Sequence, residues 1–106
     1  MSLARKKNFS QEQMKVMILS YMYNKEEGAN AHNIQFYGIA GRTIEGNRFK
    51  KILEDLCILE YLSRIDMSHV TEGRVIYKIT DKGRHTIEAI RNPLIKDVLG
   101  FTEREI

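Results

Sequence analysis

Between positions 42 and 51 the chain carries four basic residues, Arg42, Arg48, Lys50 and Lys51, against one acid, Glu45. That local excess of +3 equals the net charge of the whole chain. An apolar stripe runs through the same stretch: Phe49, Ile52, Leu53 and Leu56 recur at the i, i+3, i+4, i+7 spacing of an amphipathic helix. With Phe49 turned inward, Asn47 and Lys51 fall almost diametrically outward, and Arg48 and Lys50 take the flanks. These side chains suit one kind of chemistry. Asn can pair bidentately with adenine, Arg or Lys with guanine, and any of the cations with a phosphate. Thr43 is a good N-cap, so the helix is expected from there to about Leu59, with Arg42 just ahead of it and within reach of a phosphate. The acids Glu54 and Asp55 come later, on the distal part. On residue types alone, an amphipathic helix with a solvated charged face explains the pattern equally well.

Other charged groups offer weaker signals. Arg74 and Lys78 lie i, i+4 on an expected strand and share a face, with Arg64 on the partner strand. All three are candidates for phosphate contacts, although Asp66 and Glu72 lie nearby. Arg5-Lys6-Lys7 forms a basic arm that could follow a nucleic-acid backbone or simply be solvated. His32, His69 and His85 are scattered without metal-ligand spacing, and Cys57 reads as an inert thiol at the edge of the apolar stripe. No nucleophile–base pairing, phosphate loop or dinucleotide fingerprint is evident. A binding protein without cofactor or metal is therefore expected rather than an enzyme, and the sequence identifies no small-molecule effector.

The elements that must position these groups are legible from periodicity and punctuation. Ser10 followed by Gln13 reads as a capping box opening a helix to about Asn24. Met14, Met17, Ile18, Tyr21 and Met22 form its core stripe, while Val16, Leu19 and Tyr23 sit nearly opposite. Lys25 to Asn30, with Gly28, is a connection. A short helix from Ala31 to Tyr37 follows, expected to bury Ile34 together with Phe36 or Tyr37, and Gly38-Ile39-Ala40-Gly41 then breaks the chain. Alternation over Tyr61 to Met67 and Arg74 to Ile79, around a Glu72-Gly73 turn, predicts a β-hairpin. Thr80 caps a helix over Asp81 to Arg91, with Gly83, Ile87 and Ile90 facing inward. Asn92-Pro93 opens a further apolar helix, with Leu94, Ile95, Val98 and Leu99, that Gly100 can end.

Composition bounds the answer without deciding it. A chain of 106 residues with 42% hydrophobic and 29% charged residues fits one ordinary globular domain. The excess of 17 Lys and Arg over 14 Asp and Glu permits a polyanionic partner but does not require one. One cysteine excludes an internal disulfide and suits a reducing cytoplasm. No apolar run approaches the roughly 18 residues of a membrane span, and the start has no signal-peptide core.

The order of helix, short helix, turn, longer helix, hairpin and helix resembles the winged helix-turn-helix family. The residues that carry the resemblance are Gly28-Ala29 before the second helix, Phe49-Lys50-Lys51-Ile52-Leu53-Glu54-Asp55-Leu56 on the third, and Tyr77-Lys78-Ile79-Thr80-Asp81-Lys82-Gly83 at the hairpin-to-helix junction. That junction is similar to the one in small archaeal winged-helix DNA-binding proteins. The resemblance covers Ser10 to Arg91. It implies an α+β winged helix-turn-helix fold, with a three-helix core, a two-stranded β wing and a C-terminal helix and tail. It also implies binding to duplex DNA with the helix 43–59 in the major groove, as a transcriptional regulator or a small chromosomal DNA-binding protein. The chain divides accordingly into an arm (1–9), a winged-helix domain (10–91) and a helical tail (92–106), a candidate dimerisation element. Val16, Leu19 and Tyr23 are expected to meet Leu94, Val98 and Phe101, within one chain or across a homodimer. Two departures stand out: the connection from Gly38 to Thr43 is longer than a tight turn, and Pro93 interrupts the last helix.

Two rivals remain open at this point. Gly38-Ile39-Ala40-Gly41 resembles the G-x-x-G loop of KH domains, which implies single-stranded RNA binding, although no first strand precedes it. Alternatively the domain is a protein-interaction module, since fold does not fix function.

Overall fold

The computed structural model describes residues 10–39, 46–67, 69 and 74–100. Within them the chain is α+β. Helix α1 (Gln11–Tyr23) leads to α2 (Ala31–Asn33), which continues as a π-helical segment (Ile34–Gly38). Then come α3 (Gly46–Ile58), an antiparallel hairpin of β1 (Leu62–Asp66) and β2 (Val75–Ile79), α4 (Asp81–Ile90) and α5 (Pro93–Val98).

Local signals set most of these boundaries. The Ser10 hydroxyl accepts from Gln13 N at 3.1 Å while Gln13 Oε1 accepts from Ser10 N at 3.0 Å, the reciprocal capping box anticipated from the sequence. Thr80 Oγ1 accepts from Gly83 N at 3.1 Å and opens α4. Asn92 accepts from Leu94 N at 3.0 Å and opens α5, with Pro93 in its first turn. The end of α3 carries no glycine. Glu60 takes φ +66°, and Tyr61 N donates to Leu56 O and Glu60 N to Cys57 O, closing a Schellman-type cap on a residue that bears a steric penalty there.

The core gathers Ile18, Leu19 and Met22 of α1, Ile34 and Ile39 from the π-helical segment and its end, and Phe49, Ile52, Leu53 and Leu56 of α3. Ala29 ahead of α2, Leu62 of β1 and Ile87 of α4 complete it. The four-residue stripe of α3 is buried throughout, so this helix is anchored on one face with the other left outward. Of the inward positions expected on α4, Gly83 and Ile87 are buried and Ile90 is half-buried. Gly83 is needed because a side chain there would collide with the Tyr61 carbonyl and lie 2.7 Å from Ile79 Cγ1.

Three expectations are corrected. Leu19, expected on an outer face of α1, is 2% exposed and belongs to the core, because α3 and α4 cover that side within one chain. Neither Phe36 nor Tyr37 is buried: they are 58% and 62% exposed, since the π-helical turn carries Ile34 and Gly38 inward in their place. Ahead of α2, Ala29 bridges to Tyr77, with Ala29 N donating to Tyr77 O at 3.0 Å and Tyr77 N to Ala29 O at 2.8 Å. The hairpin is therefore tied back to the body of the domain where the sequence suggests only a loop.

Candidate nucleic-acid interface

On α3, Asn47, Arg48, Lys50 and Lys51 are all exposed, opposite the buried stripe, as the helical spacing requires. Arg42 and Thr43 lie outside the described residues, as do Arg5-Lys6-Lys7, the Glu72-Gly73 turn and Phe101. The ion pairs among the described residues join Lys15 to Glu12 (3.5 Å) and to Asp55 (3.7 Å). Asp55 is thus held toward α1, and its charge is partly offset there rather than set against Arg48, Lys50 and Lys51.

The hairpin register sorts the wing cations. Arg64 lies directly opposite Tyr77, and Ser63 opposite Lys78, so Arg64 and Lys78 point to different faces. Arg64 turns to the α3 side, where it shares a cleft with Lys50. Lys78 turns to the other side, over Gly28, and is half-buried. Arg74 is exposed just before β2, and its carbonyl accepts from Met67 N at 2.8 Å. Among wing residues, Arg64 is therefore the cation nearest the outward face of α3. The sequence hints at it through its place on the partner strand, but a facing assignment needs the register, and the hairpin tip gives no count to fix it.

Gly28 has φ +86°, and a Cβ there would stand 2.7 Å from Tyr77 O and 2.9 Å from Lys78 Cγ. Only glycine lets the chain approach the hairpin this closely. Gly46, in contrast, stands at the start of α3 where an added Cβ would meet nothing within 4 Å.

Cys57 lines the cleft and is half-buried. Burial raises its pKa, Arg64 pulls it down and Glu54 pushes it up, with burial the largest influence, so the thiol stays protonated at neutral pH. Of the string resembling a G-x-x-G loop, Ala40 and Gly41 lie outside the described residues. Gly38 closes the π-helical segment against Tyr21, and Ile39 is buried in the core, so neither is free to line a strand-binding cleft.

The expected dimer residues divide into two groups. Leu94 and Val98 are 72% and 79% exposed on α5, so they are not packed on α1 within the chain. Val16 is half-buried beside a groove of 270 Å³ between α1, α3 and α4. Tyr23 is engaged internally: its hydroxyl donates to Glu88 at 2.7 Å, and its ring lies under Arg84 and Arg91 at 5.4 and 4.6 Å. The hydrogen bond to Glu88 is the main cause that raises its pKa.

No protein-family model, curated protein or solved structure matches the chain. Among the described residues no helix is long and apolar enough to cross a membrane.

Proposed function

We propose that this chain is a winged helix-turn-helix domain that binds duplex DNA as a homodimer and regulates transcription, a binding module rather than an enzyme. The observation that carries the reading is the split character of α3. Phe49, Ile52, Leu53 and Leu56 fix it to the core, while Asn47, Arg48, Lys50 and Lys51 stand exposed together on the other face. A helix so anchored can enter a major groove and present an amide and three cations to bases and phosphates. The hairpin beside it, tethered through Ala29 and bearing Arg64 on the same side, supplies the wing. Glu54 and Asp55 lie further along α3, the part that climbs out of the groove in this reading. Leu94 and Val98 supply the apolar surface for a second copy.

The test is a set of three alanine variants on a selected duplex. Arg48→Ala and Lys51→Ala weaken binding on all sequences, whereas Asn47→Ala blunts discrimination between sites more than affinity, by about 1–3 kcal/mol at the base pair it reads. Unchanged binding in all three rules out α3 as the reading element. The protein-interaction reading draws support from a different place, the exposed Phe36 and Tyr37, whose rings meet edge-on at 5.0 Å. Duplex binding at low salt decides between the two.

A further inference from the structure

Between α3 and the hairpin lies a cleft of 440 Å³, lined by Lys50, Glu54, Cys57 and Ile58 from the helix and by Arg64 and Tyr77 from the strands. That volume falls in the range of small-molecule sites, about 300–1,000 Å³. Its chemistry is two-sided. Lys50 and Arg64 both line it, neither takes part in an ion pair among the described residues, and Glu54 is the one acid among its described lining residues, so two cations face one carboxylate there and that lining is net positive. The rest of its wall is a tyrosine ring, an exposed isoleucine and a protonated thiol, which a bare inorganic anion or a phosphate would leave uncovered.

We infer that the cleft binds a small aromatic carboxylate, its carboxylate between Lys50 and Arg64 and its flat body on Tyr77 and Ile58. Because Lys50 also belongs to the outward face of α3, the bound anion competes with duplex DNA. That second part rests on the DNA reading above; the binding itself does not.

The probe is naphthoate, titrated into the uniformly nitrogen-15-labelled protein, with naphthamide as a neutral control of the same shape. The expected result is saturable amide shifts at Lys50, Cys57, Arg64 and Tyr77, with naphthamide at least about tenfold weaker, the scale of one charge-assisted contact. Arg64→Ala weakens naphthoate by a similar factor. Cys57→Leu, which adds bulk to the lining, abolishes the shifts; a circular-dichroism melt of each variant checks folding. Shifts scattered over other surfaces, equal binding of naphthamide, or an unaltered Arg64→Ala overturns the site. In a second arm, naphthoate displaces labelled duplex from the parent protein but not from Cys57→Leu. Saturable binding without displacement overturns the competition, and a parent protein that binds no duplex overturns the DNA reading while the shifts still judge the cleft.

Discussion

Two glycines should respond to the same substitution with opposite signs. At Gly28 an alanine must hold φ near +86°, a left-handed conformation that costs an L-residue about 1–2 kcal/mol. Its Cβ would also stand 2.7 Å from the Tyr77 carbonyl oxygen, a backbone atom that cannot swing away as a side chain would. Relieving that contact means displacing the hairpin or breaking the paired hydrogen bonds between Ala29 and Tyr77, at a cost of about 1–3 kcal/mol for overpacking. The reduced freedom of the unfolded chain returns only about 0.4–1 kcal/mol. Gly28→Ala is thus expected to lose about 1–5 kcal/mol, a fall in Tm of at least about 4 °C for a domain of this size. Gly46→Ala meets nothing within 4 Å and gains helix propensity, about 0.5–1 kcal/mol, so its Tm should rise by a few degrees. Urea titration gives both values, with m unchanged if the folded state keeps its compactness. A Gly28→Ala protein as stable as the parent would refute the tether between Ala29 and the hairpin. The stabilised Gly46→Ala variant then bears on function: loss of duplex affinity without loss of stability means the backbone at the start of α3 approaches its ligand closely.

Glu60→Gly should stabilise the domain by about 1 kcal/mol, because Glu60 holds the left-handed position of the α3 cap; an unchanged urea midpoint contradicts that geometry. Leu19→Asp should abolish folding by burying a charge, whereas the Leu94→Asp, Val98→Asp double variant should stay folded and convert a dimer to a monomer in sedimentation; a folded Leu19→Asp protein, or a double variant that remains dimeric, contradicts the assignment. Alkylation of Cys57 should be slow at neutral pH and accelerate only above the ordinary thiol pKa of about 8.5, since burial raises its own. With the folded pKa raised, the protonated thiol's contribution to stability is intact below the unfolded pKa and is lost as pH rises through the folded one. Rapid alkylation at pH 7 would contradict it.

The sequence is most informative where a local rule has few competitors. The Ser10–Gln13 box, the Thr80 and Asn92 caps, the α3 stripe and the alternating strands each rest on spacing that neighbouring chain does not override. It is least informative where a tertiary contact decides the outcome. Leu19 reads as outward because α1 is apolar on two sides, and nothing in its own helix says that α3 and α4 close over it. Phe36 and Tyr37 read as alternatives for the inside because a regular helix would turn one of them there; the π-helical turn shifts the phase and buries Gly38. Tyr23 reads as an interface residue, but its partners Arg84, Glu88 and Arg91 are more than sixty residues away in sequence. The left-handed Glu60 and the single-residue bridge at Ala29 leave no compositional mark. For the candidate interface, the exposed set on α3 is readable from helical spacing, whereas the separation of Arg64 from Lys78 follows from a strand register set through the hairpin tip.

The most direct test of the central claim is binding of the purified protein to duplex DNA over a salt series, beside single-stranded DNA and RNA of the same sequence. Duplex binding is expected with a log affinity that falls linearly with log salt, and a slope that drops by about one unit in Lys51→Ala. No duplex binding at low salt, or a preference for the single strands, would contradict it.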